Sequence, residues 1–251
     1  MVKKQLPGRL EQRISSEALE ELFCRSGWLA EASPELRARL FSSACPLRYG
    51  KGERVFARGD NPGGMYGVIS GGIGLEASAR GHPLRLGHVV RRSGWFGEGP
   101  ALAGAQRFLG AVAVEDSLLV HLPLALLEAA IEEDPDTRIL LAKHAQTNTM
   151  VTVWVACDLL IPEAPRRIAA VLLRVTGVLD GVEPEHVHGF PLNQALIGEL
   201  SNASRVHVNR VLRLLAQKGL ITKHYNHLQI VDPAGLAAFA YGESEHAGRA
   251  A

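Results

Sequence analysis

Residues 191–221 read PLNQALIGELSNASRVHVNRVLRLLAQKGLI, and this stretch predicts two short helices joined by a tight polar turn. Leu196, Ile197 and Leu200 recur at the three-to-four-residue spacing of one apolar helix face, which predicts a helix over residues 193–200. Residues 201–203, Ser-Asn-Ala, form the predicted turn. This is the pattern of a helix-turn-helix.

The second helix is predicted to begin after Ser204, whose hydroxyl can cap an otherwise unpaired amide of its first turn. Gly219 is expected to end it. Its predicted buried face consists of Val208, Val211, Leu212 and Leu215. The N-terminal turns and the opposite face supply the candidate DNA contacts, because the early residues of such a helix reach base edges in the major groove. These candidates are Ser204, Arg205, Val206, His207, Asn209, Arg210 and Arg213.

A short hairpin is predicted to follow, with strands at residues 222–224 and 228–231, as in the wing of a winged helix. Its Lys223 is a further candidate DNA contact. Between residues 191 and 231 the positive charges are Arg205, Arg210, Arg213, Lys218 and Lys223, against Glu199 alone, whereas the whole chain carries only +1. Positive charge concentrated in this way favours phosphate contact. The alternative is an ordinary helical hairpin with a solvated basic face.

At Ser204, Arg205, Val208 and Arg210 the sequence resembles the DNA-binding domain of the Crp/Fnr family of bacterial transcription regulators. The resemblance implies that Arg205 and Arg210 contact bases or phosphates of a palindromic operator in double-stranded DNA. At Val206 the sequence departs from many family members, which carry a glutamate that accepts from cytosine. A valine offers an apolar contact, such as to a thymine methyl, so the operator should differ from the best-known family site.

Length and composition bound the remaining possibilities. With 251 residues, 47% hydrophobic and 21% charged, the chain can bury a core in one or two domains. No apolar run approaches the roughly 18 residues of a membrane span, and the basic N-terminus lacks the apolar segment of a secretory signal. Cys24, Cys45 and Cys157 are too scattered for a disulfide framework or a Cys-x-x-Cys metal site. We therefore expect a cytoplasmic protein that does not contact a membrane.

Residues 49–122 change character, with short apolar runs punctuated by glycine turns, which predicts a β-sandwich or barrel. Strands are predicted at residues 55–56, 65–69, 73–75, 84–90, 111–114 and 118–122. The order of Lys51-Gly52-Glu53, Gly59-Asp60, Phe96-Gly97-Glu98 and Glu115-Asp116-Ser117 resembles the cyclic-nucleotide-binding jelly roll of the same family. The resemblance covers about residues 23–239.

The family's phosphate-binding segment is expected at residues 97–107. The resemblance implies that Glu98 takes a ribose hydroxyl and that Arg107 pairs with a cyclic phosphate. Where ligand-binding members carry a small hydroxyl residue after the arginine, this chain has Phe108, and Pro100 removes one amide donor. We predict an altered or absent response to cyclic AMP and no other cofactor. Glu98 and Arg107 would instead form a structural ion pair, or Phe108 would fill the pocket.

A long helix is predicted from about residue 135 to residue 160, apolar on more than one side, and such a helix needs more than one partner. One face would pack on the β-roll. The other, formed by Met150, Val153, Cys157 and Leu160 at 3–4 spacing, would pair with a second copy. The resemblance implies the same parallel dimer helix and places Thr152 and Val153 beside the effector, where valine lacks the family's hydroxyl.

The sequence thus predicts an α+β chain: an extension (1–22), a cyclic-nucleotide-binding-type β jelly roll (23–134), a long dimerisation helix (135–161), a winged helix-turn-helix (162–241) and a tail (242–251). A His-x-His pair at His186 and His188 could hold a metal if a third ligand converged. No nucleophile elbow, Walker loop or His-Glu-x-x-His motif occurs, so an enzyme is not expected.

The predicted function is a homodimeric, sequence-specific transcription regulator of Crp/Fnr type, with RNA polymerase as an expected partner. The alternative is a small-ligand sensor whose winged helix contacts protein instead of DNA. The arginines of the second helix favour the first prediction.

Overall fold

The structure, a computed structural model, describes residues 9–10, 14–78, 82–185 and 189–242. The chain divides into two compact units, residues 1–152 and 153–251. The boundary lies inside the predicted dimerisation helix, and nine residues of that helix, 153–161, follow it. Half of the predicted extension, the pair His186 and His188, and the tail beyond residue 242 lie outside the described residues.

The first unit contains two antiparallel sheets in the part of the chain that the structure describes. Their strand orders are β1-β2-β9-β4-β7 and β3-β8-β5-β6. The predicted strands are all present, to within two residues at each end. The strands are β1 (Arg9–Leu10), β2 (Cys45–Tyr49), β3 (Arg54–Phe56), β4 (Gly64–Ser70), β5 (Ile73–Ala77), β6 (Arg85–Val90), β7 (Trp95–Phe96), β8 (Gly110–Ala113) and β9 (Ser117–Pro123).

The two sheets enclose one core, and alternation along each strand places every second side chain in it. On β9, Leu119 faces the opposite sheet whereas Val120 faces away from it. The core between the sheets includes Leu47, Tyr49, Phe56, Tyr66, Ile73, Phe96 and Leu119. This is the predicted β jelly roll, and the fold class is confirmed.

A second core lies on the other face of the five-stranded sheet, where helices cover Met65, Val120 and Leu122. The helices of this unit are α1 (Ser16–Phe23), α2 (Pro34–Ser42), α3 (Glu98–Ala103), α4 (Leu124–Glu133) and the greater part of α5 (Asp136–Leu160). Ser33 caps α2 as predicted, its hydroxyl accepting from the amide of Leu36 at 3.1 Å.

The predicted extension is partly wrong, because several of its residues belong to the first unit. Arg9 and Leu10 pair with Arg48 and Leu47 of β2. Leu19 of α1 is buried in the helix-covered core. Whether an amphipathic segment packs on the fold depends on a matching apolar surface, and distant residues form that surface. The sequence of the segment alone therefore did not show that it would pack.

The second unit comprises the last turns of α5 and all that follows. Its elements are α6 (Ala164–Thr176), a short 3₁₀-helix (Val178–Asp180), α7 (Gln194–Ser201), α8 (Arg205–Gln217), β10 (Ile221–His224), β11 (His227–Ile230) and α9 (Pro233–Tyr241). Residues 168–173 of α6 are buried without interruption, so α6 is the central helix of this unit. The two strands pair as the predicted hairpin. In the described ranges, no helix combines the length and apolar character that a membrane crossing needs.

Candidate nucleic-acid interface and ligand cavity

The helix-turn-helix forms through local capping at both of its helices. The side chain of Asn193 accepts from the amides of Ala195 and Leu196 at the start of α7. Ser204 accepts from the amide of His207 at 3.2 Å, which confirms the predicted cap of α8. A Cβ on Gly198 would lie 2.7 Å from the carbonyl oxygen of Ala203, so glycine is needed where the turn approaches α7.

The two faces of α8 are separated as predicted. Val208, Val211, Leu212 and Leu215 are buried in the unit. Arg205, Arg210 and Arg213 are exposed, and Val206 is 79% exposed. An exposed basic face at the start of a well-anchored helix can enter the major groove and offer guanidinium groups to guanine edges or phosphates.

Two of the predicted contacts, Asn209 and Lys223, also form hydrogen bonds within the unit. His207 and Asn209 are only partly exposed. The Asn209 Oδ1 atom accepts from Gln194 Nε2 at 3.3 Å and from Lys223 Nζ at 3.4 Å. Asn209 thereby joins α7, α8 and the wing. No sequence signal identified Gln194, because its partner lies fifteen residues away on another helix.

A groove of about 550 Å³ runs between the helix-turn-helix and the wing. Arg205 and Lys223 line it, as does Tyr225 at the tip of the wing. Tyr225 is 91% exposed. The sequence interpretation treated residue 225 only as part of a turn and missed it as a surface group. The groove gives the basic face a concave extension toward the hairpin.

The first unit contains a cavity of about 360 Å³ at the predicted effector position. Its wall is mostly apolar, with Phe56, Leu75, Phe108 and Leu109 from the β-roll side. The polar lining comes from Glu98 and Arg107 and from α5, which contributes Asn148, Thr149 and Thr152. Four of the five predicted effector residues therefore meet at one cavity, and the fifth, Val153, belongs to the second unit.

Arg107 is bound to the backbone of its own unit. Its Nη1 and Nη2 atoms donate to the carbonyl oxygens of Gly97 and Gly64, each at 2.7 Å. The side chain is buried, and burial lowers the pKa of its guanidinium, an effect opposed by the nearby Tyr66 and Glu98. Its Nε has no hydrogen-bond partner in the described part of the chain. Both terminal nitrogens are thus engaged by the backbone and Nε is buried, so a phosphate fork, which needs two parallel donors, would compete with these bonds.

Glu98 bonds to α5 and not to Arg107, so the predicted structural ion pair is wrong. Its Oε1 atom accepts from Asn148 Nδ2 at 2.9 Å, and Oε2 lies 3.8 Å from His144 Nε2. Burial lowers the pKa of His144, while the neighbouring Glu98 acts in the opposite direction. Sequence reasoning missed His144, because nothing in the helix pattern shows which of its side chains meet a distant carboxylate.

Phe108 does not fill the cavity, and that prediction is also wrong. Its side chain is 66% exposed. It lies at the rim against Gly99 in the first turn of α3, where an added Cβ would be 3.2 Å from the ring. The ring therefore lies beside the first turn of α3, the segment whose amides would bind a phosphate in a ligand-binding site of this kind.

The predicted pairing stripe of α5 is exposed. Met150, Val153 and Cys157 are open to solvent, and Leu160 is 78% exposed. Trp154 and Leu159, which the sequence did not single out, are exposed as well. Over the described residues, no three histidine, cysteine or acidic side chains come together as a metal site would need.

Both units match the patterns of known protein families. The pattern described as a cyclic nucleotide-binding domain matches residues 46–134, and that of a Crp-like helix-turn-helix domain matches residues 166–239. The transcriptional regulator SdrP of Thermus thermophilus is 33% identical over 190 residues, 73% of this chain and 86% of that protein.

Two further relatives span more than three quarters of the chain. The CRP-like cAMP-activated global transcriptional regulator of Mycobacterium tuberculosis is 26% identical over 227 residues, covering 87% of this chain and 98% of that protein. The crystal structure of a CRP/FNR-family transcriptional regulator from Thermus thermophilus has a TM-score of 0.57 and 25% identity, over 78% of this chain and 97% of that one.

Proposed function

Because the chain belongs to the Crp/Fnr family of transcription regulators, we propose that it acts as a homodimer that binds a palindromic operator in double-stranded DNA. The chain is a transcription regulator and not an enzyme, as its sequence predicts. The observation that carries the proposal is the exposed basic face of α8, anchored by a buried apolar face.

The arrangement of α8 suits sequence-specific binding. Arg205 lies in its first turn, and Arg210 and Arg213 follow on exposed positions. Each guanidinium can hold a guanine edge or a phosphate in a fork, and a good base contact contributes about 1–3 kcal/mol of discrimination. Lys223 and the wing groove extend the positive surface beyond the helix.

The test is binding to duplexes selected from a random pool, measured as a function of salt. We expect saturable binding to a palindrome. Affinity should fall steeply as salt rises, because binding releases cations from the DNA phosphates. Arg210→Ala should weaken binding about tenfold or more. Lys218→Ala, at the far end of the same helix, is the matched control and should bind as the wild type does.

Equal binding to the operator and to a scrambled duplex would contradict the proposal. That result would favour the alternative, a ligand sensor whose winged helix contacts protein.

The proposed dimer uses the α5 stripe. Met150, Val153, Cys157 and Leu160 recur every three or four residues and are exposed, which suits pairing with the same stripe of a second copy. Val153→Glu with Leu160→Glu should shift the mass measured by light scattering from dimer to monomer. Leu159→Glu, exposed on another side of α5, should leave the dimer intact.

We further propose that the response to cyclic AMP is altered or absent. Arg107 has both terminal nitrogens on backbone carbonyls, and the Phe108 ring lies against Gly99 in the first turn of α3. Binding the phosphate in a fork would compete with the bonds of Arg107 to Gly97 and Gly64. Calorimetric titration with cyclic AMP to millimolar concentration should give no saturable heat, and a stoichiometric, tight titration would contradict this part.

The site of action follows from the proposed target. A regulator of bacterial operators works in the cytoplasm, and RNA polymerase is the partner through which its binding would change transcription. An in vitro transcription assay on a template with the selected operator should show a change in transcript amount only when the intact operator is present.

A further inference from the structure

Asp158, in the last turn of α5, is a buried carboxylate held by two other helices of the second unit. Its Oδ2 atom accepts from Arg174 Nε of α6 at 2.6 Å. Its Oδ1 atom accepts from the hydroxyl of Tyr241 of α9 at 3.2 Å. We name these three residues the Asp158 latch.

The ion pair of the latch is shielded from water, whereas Tyr241 is 51% exposed. The side chains of Asp158 and Arg174 are almost fully buried, which limits screening by salt. Burial raises the pKa of Tyr241, and the charge of Asp158 adds to this effect. The tyrosine therefore remains a hydrogen-bond donor at physiological pH. Oδ2 of Asp158 accepts a charge-assisted hydrogen bond from Arg174, and Oδ1 accepts a neutral one from Tyr241. Because both oxygens are bonded at once, the side chain is held in one orientation.

The segment that follows α5 is also tied to the winged helix. Arg167 of α6 donates through Nη1 to the carbonyl oxygens of Ile161 and Pro162 at 2.6 and 3.1 Å. Its Nε donates to the carbonyl oxygen of Ser201, the last residue of α7, at 2.9 Å. One arginine thus connects the proline-containing linker to the helix-turn-helix.

The proposed pairing stripe lies on a different side of α5 from the latch. Successive helix residues are about 100° apart, so Asp158 does not share a face with Val153, Cys157 or Leu160. Val153, Cys157 and Leu160 belong to the second unit together with the latch, whereas Met150 belongs to the first. A copy paired along this stripe would leave the latch undisturbed.

We propose that Asp158 is a positioning residue for DNA recognition. Through Arg174 and Tyr241 it makes the last turns of α5 part of the DNA-reading body, so the direction of α8 is fixed relative to the pairing stripe. In a homodimer this fixes the separation of the two recognition helices and hence the spacing between half-sites. The inference rests on the homodimeric operator binding proposed above.

A buried ion pair suits this role better than it suits net stabilisation. Desolvation of the two charges offsets much of their attraction, whereas the requirement that both be satisfied specifies one arrangement of the helices. The expected consequence of its loss is a change in geometry that affects spaced half-sites more than a single half-site.

The experiment uses full-length protein and a series of duplexes whose half-sites are moved apart or together by one and two base pairs. Wild-type protein should lose about tenfold in affinity or more at the wrong spacings. Asp158→Asn with Arg174→Met removes both charges and should reduce this discrimination to about threefold or less while a single half-site is still bound. Asp180→Asn, an exposed acid of the same unit, should discriminate as wild type does.

The readout separates positioning from stability, because a merely destabilised protein loses affinity for every duplex equally. Tyr241→Phe, which keeps the ion pair, should give intermediate discrimination and decides the question if the double variant does not fold. If a folded latch variant discriminates between half-site spacings as wild type does, the positioning role of Asp158 is overturned but the homodimer is not. A wild-type protein indifferent to spacing would overturn both this proposal and the homodimer.

Discussion

The guanidinium of Arg107 lies over the ring of Phe56, with Cζ 4.2 Å from the ring centroid. The same group donates to the carbonyl oxygens of Gly97 and Gly64. A buried charge without a bonded carboxylate is thus stabilised by an aromatic face and by backbone dipoles. Arg107 joins β4, β3 and the turn before α3, so it organises the cavity wall whether or not a ligand binds.

Replacing Arg107 should destabilise the first unit. Arg107→Met would leave two carbonyl oxygens without their donor, at a cost of about 1–3 kcal/mol for each such group. We expect the free energy of unfolding in urea to fall by about 2 kcal/mol or more. Arg85→Met, at an exposed position on β6, is the control and should change stability little. Equal stability of the two variants would show that the carbonyls find other donors.

Phe108→Ser should increase affinity for cyclic AMP. The smaller side chain uncovers the first turn of α3 and supplies the hydroxyl that this position lacks. Isothermal titration should show weak saturable heat for this variant and none for wild type. Ile139→Ser, which also removes an exposed apolar side chain, should behave as wild type does. If the variant, like wild type, gives no heat with cyclic AMP, the backbone bonds of Arg107 are enough to prevent binding.

The stability of the protein should fall as the pH drops below about 6.5, the ordinary histidine pKa. Burial lowers the pKa of His144, and burial also lowers that of His121, so the folded state favours their neutral forms. The unfolded chain takes up these protons first. The two histidines therefore make their full contribution to the free energy of unfolding at pH values above their pKa in the unfolded chain. That contribution is lost as the pH falls toward their lower pKa values in the folded protein.

The measurement is the free energy of unfolding between pH 7.5 and 5, spanning the ordinary histidine pKa. His144→Gln should flatten the slope by up to about 1.4 kcal/mol per pH unit, whatever its effect on absolute stability. His121→Gln should flatten the slope in the same direction. A slope insensitive to His144 would mean that it protonates alike in both states.

Gly64→Ala should be strongly destabilising. Gly64 has φ +116°, and a Cβ there would lie 2.0 Å from the carbonyl oxygen of Leu122 on the neighbouring strand. We expect a loss of about 3 kcal/mol or more, since backbone must move on both β4 and β9. Gly104 also has a positive φ, but a Cβ there would meet no neighbouring atom. Gly104→Ala therefore measures the cost of the backbone conformation without a clash. Similar losses for both would show that the clash is relieved at little cost.

Much of the helical structure could be predicted because its determinants are local. The caps Ser33 and Ser204 bond to amides three residues away, and both helices begin where the sequence indicates. Of the strands, β1, β2 and β7 were missed. Cys45–Tyr49 contains a proline and an exposed arginine, and β7 has two residues, so neither shows a periodic pattern before its partner strand is known.

The candidate effector residues show which contacts the sequence could not predict. The sequence placed Glu98 and Arg107 at one pocket, and both line the cavity. It could not show that Arg107 bonds to Gly64, 43 residues away, or that Glu98 bonds to Asn148, 50 residues away. Two charges at matching positions suggested an ion pair, but tertiary packing offered each of them a different partner.

By itself the sequence determined the kind of protein: a β-roll, a long helix and a basic helix-turn-helix follow from apolar periodicity, glycine turns and capping residues, which act over a few positions. Only the tertiary structure decided which polar groups meet. The Asp158 latch joins residues 16 and 83 positions apart, and the sheets unite strands from both ends of the first unit. Such contacts depend on how whole elements pack to bury their apolar faces, and no local pattern records that outcome.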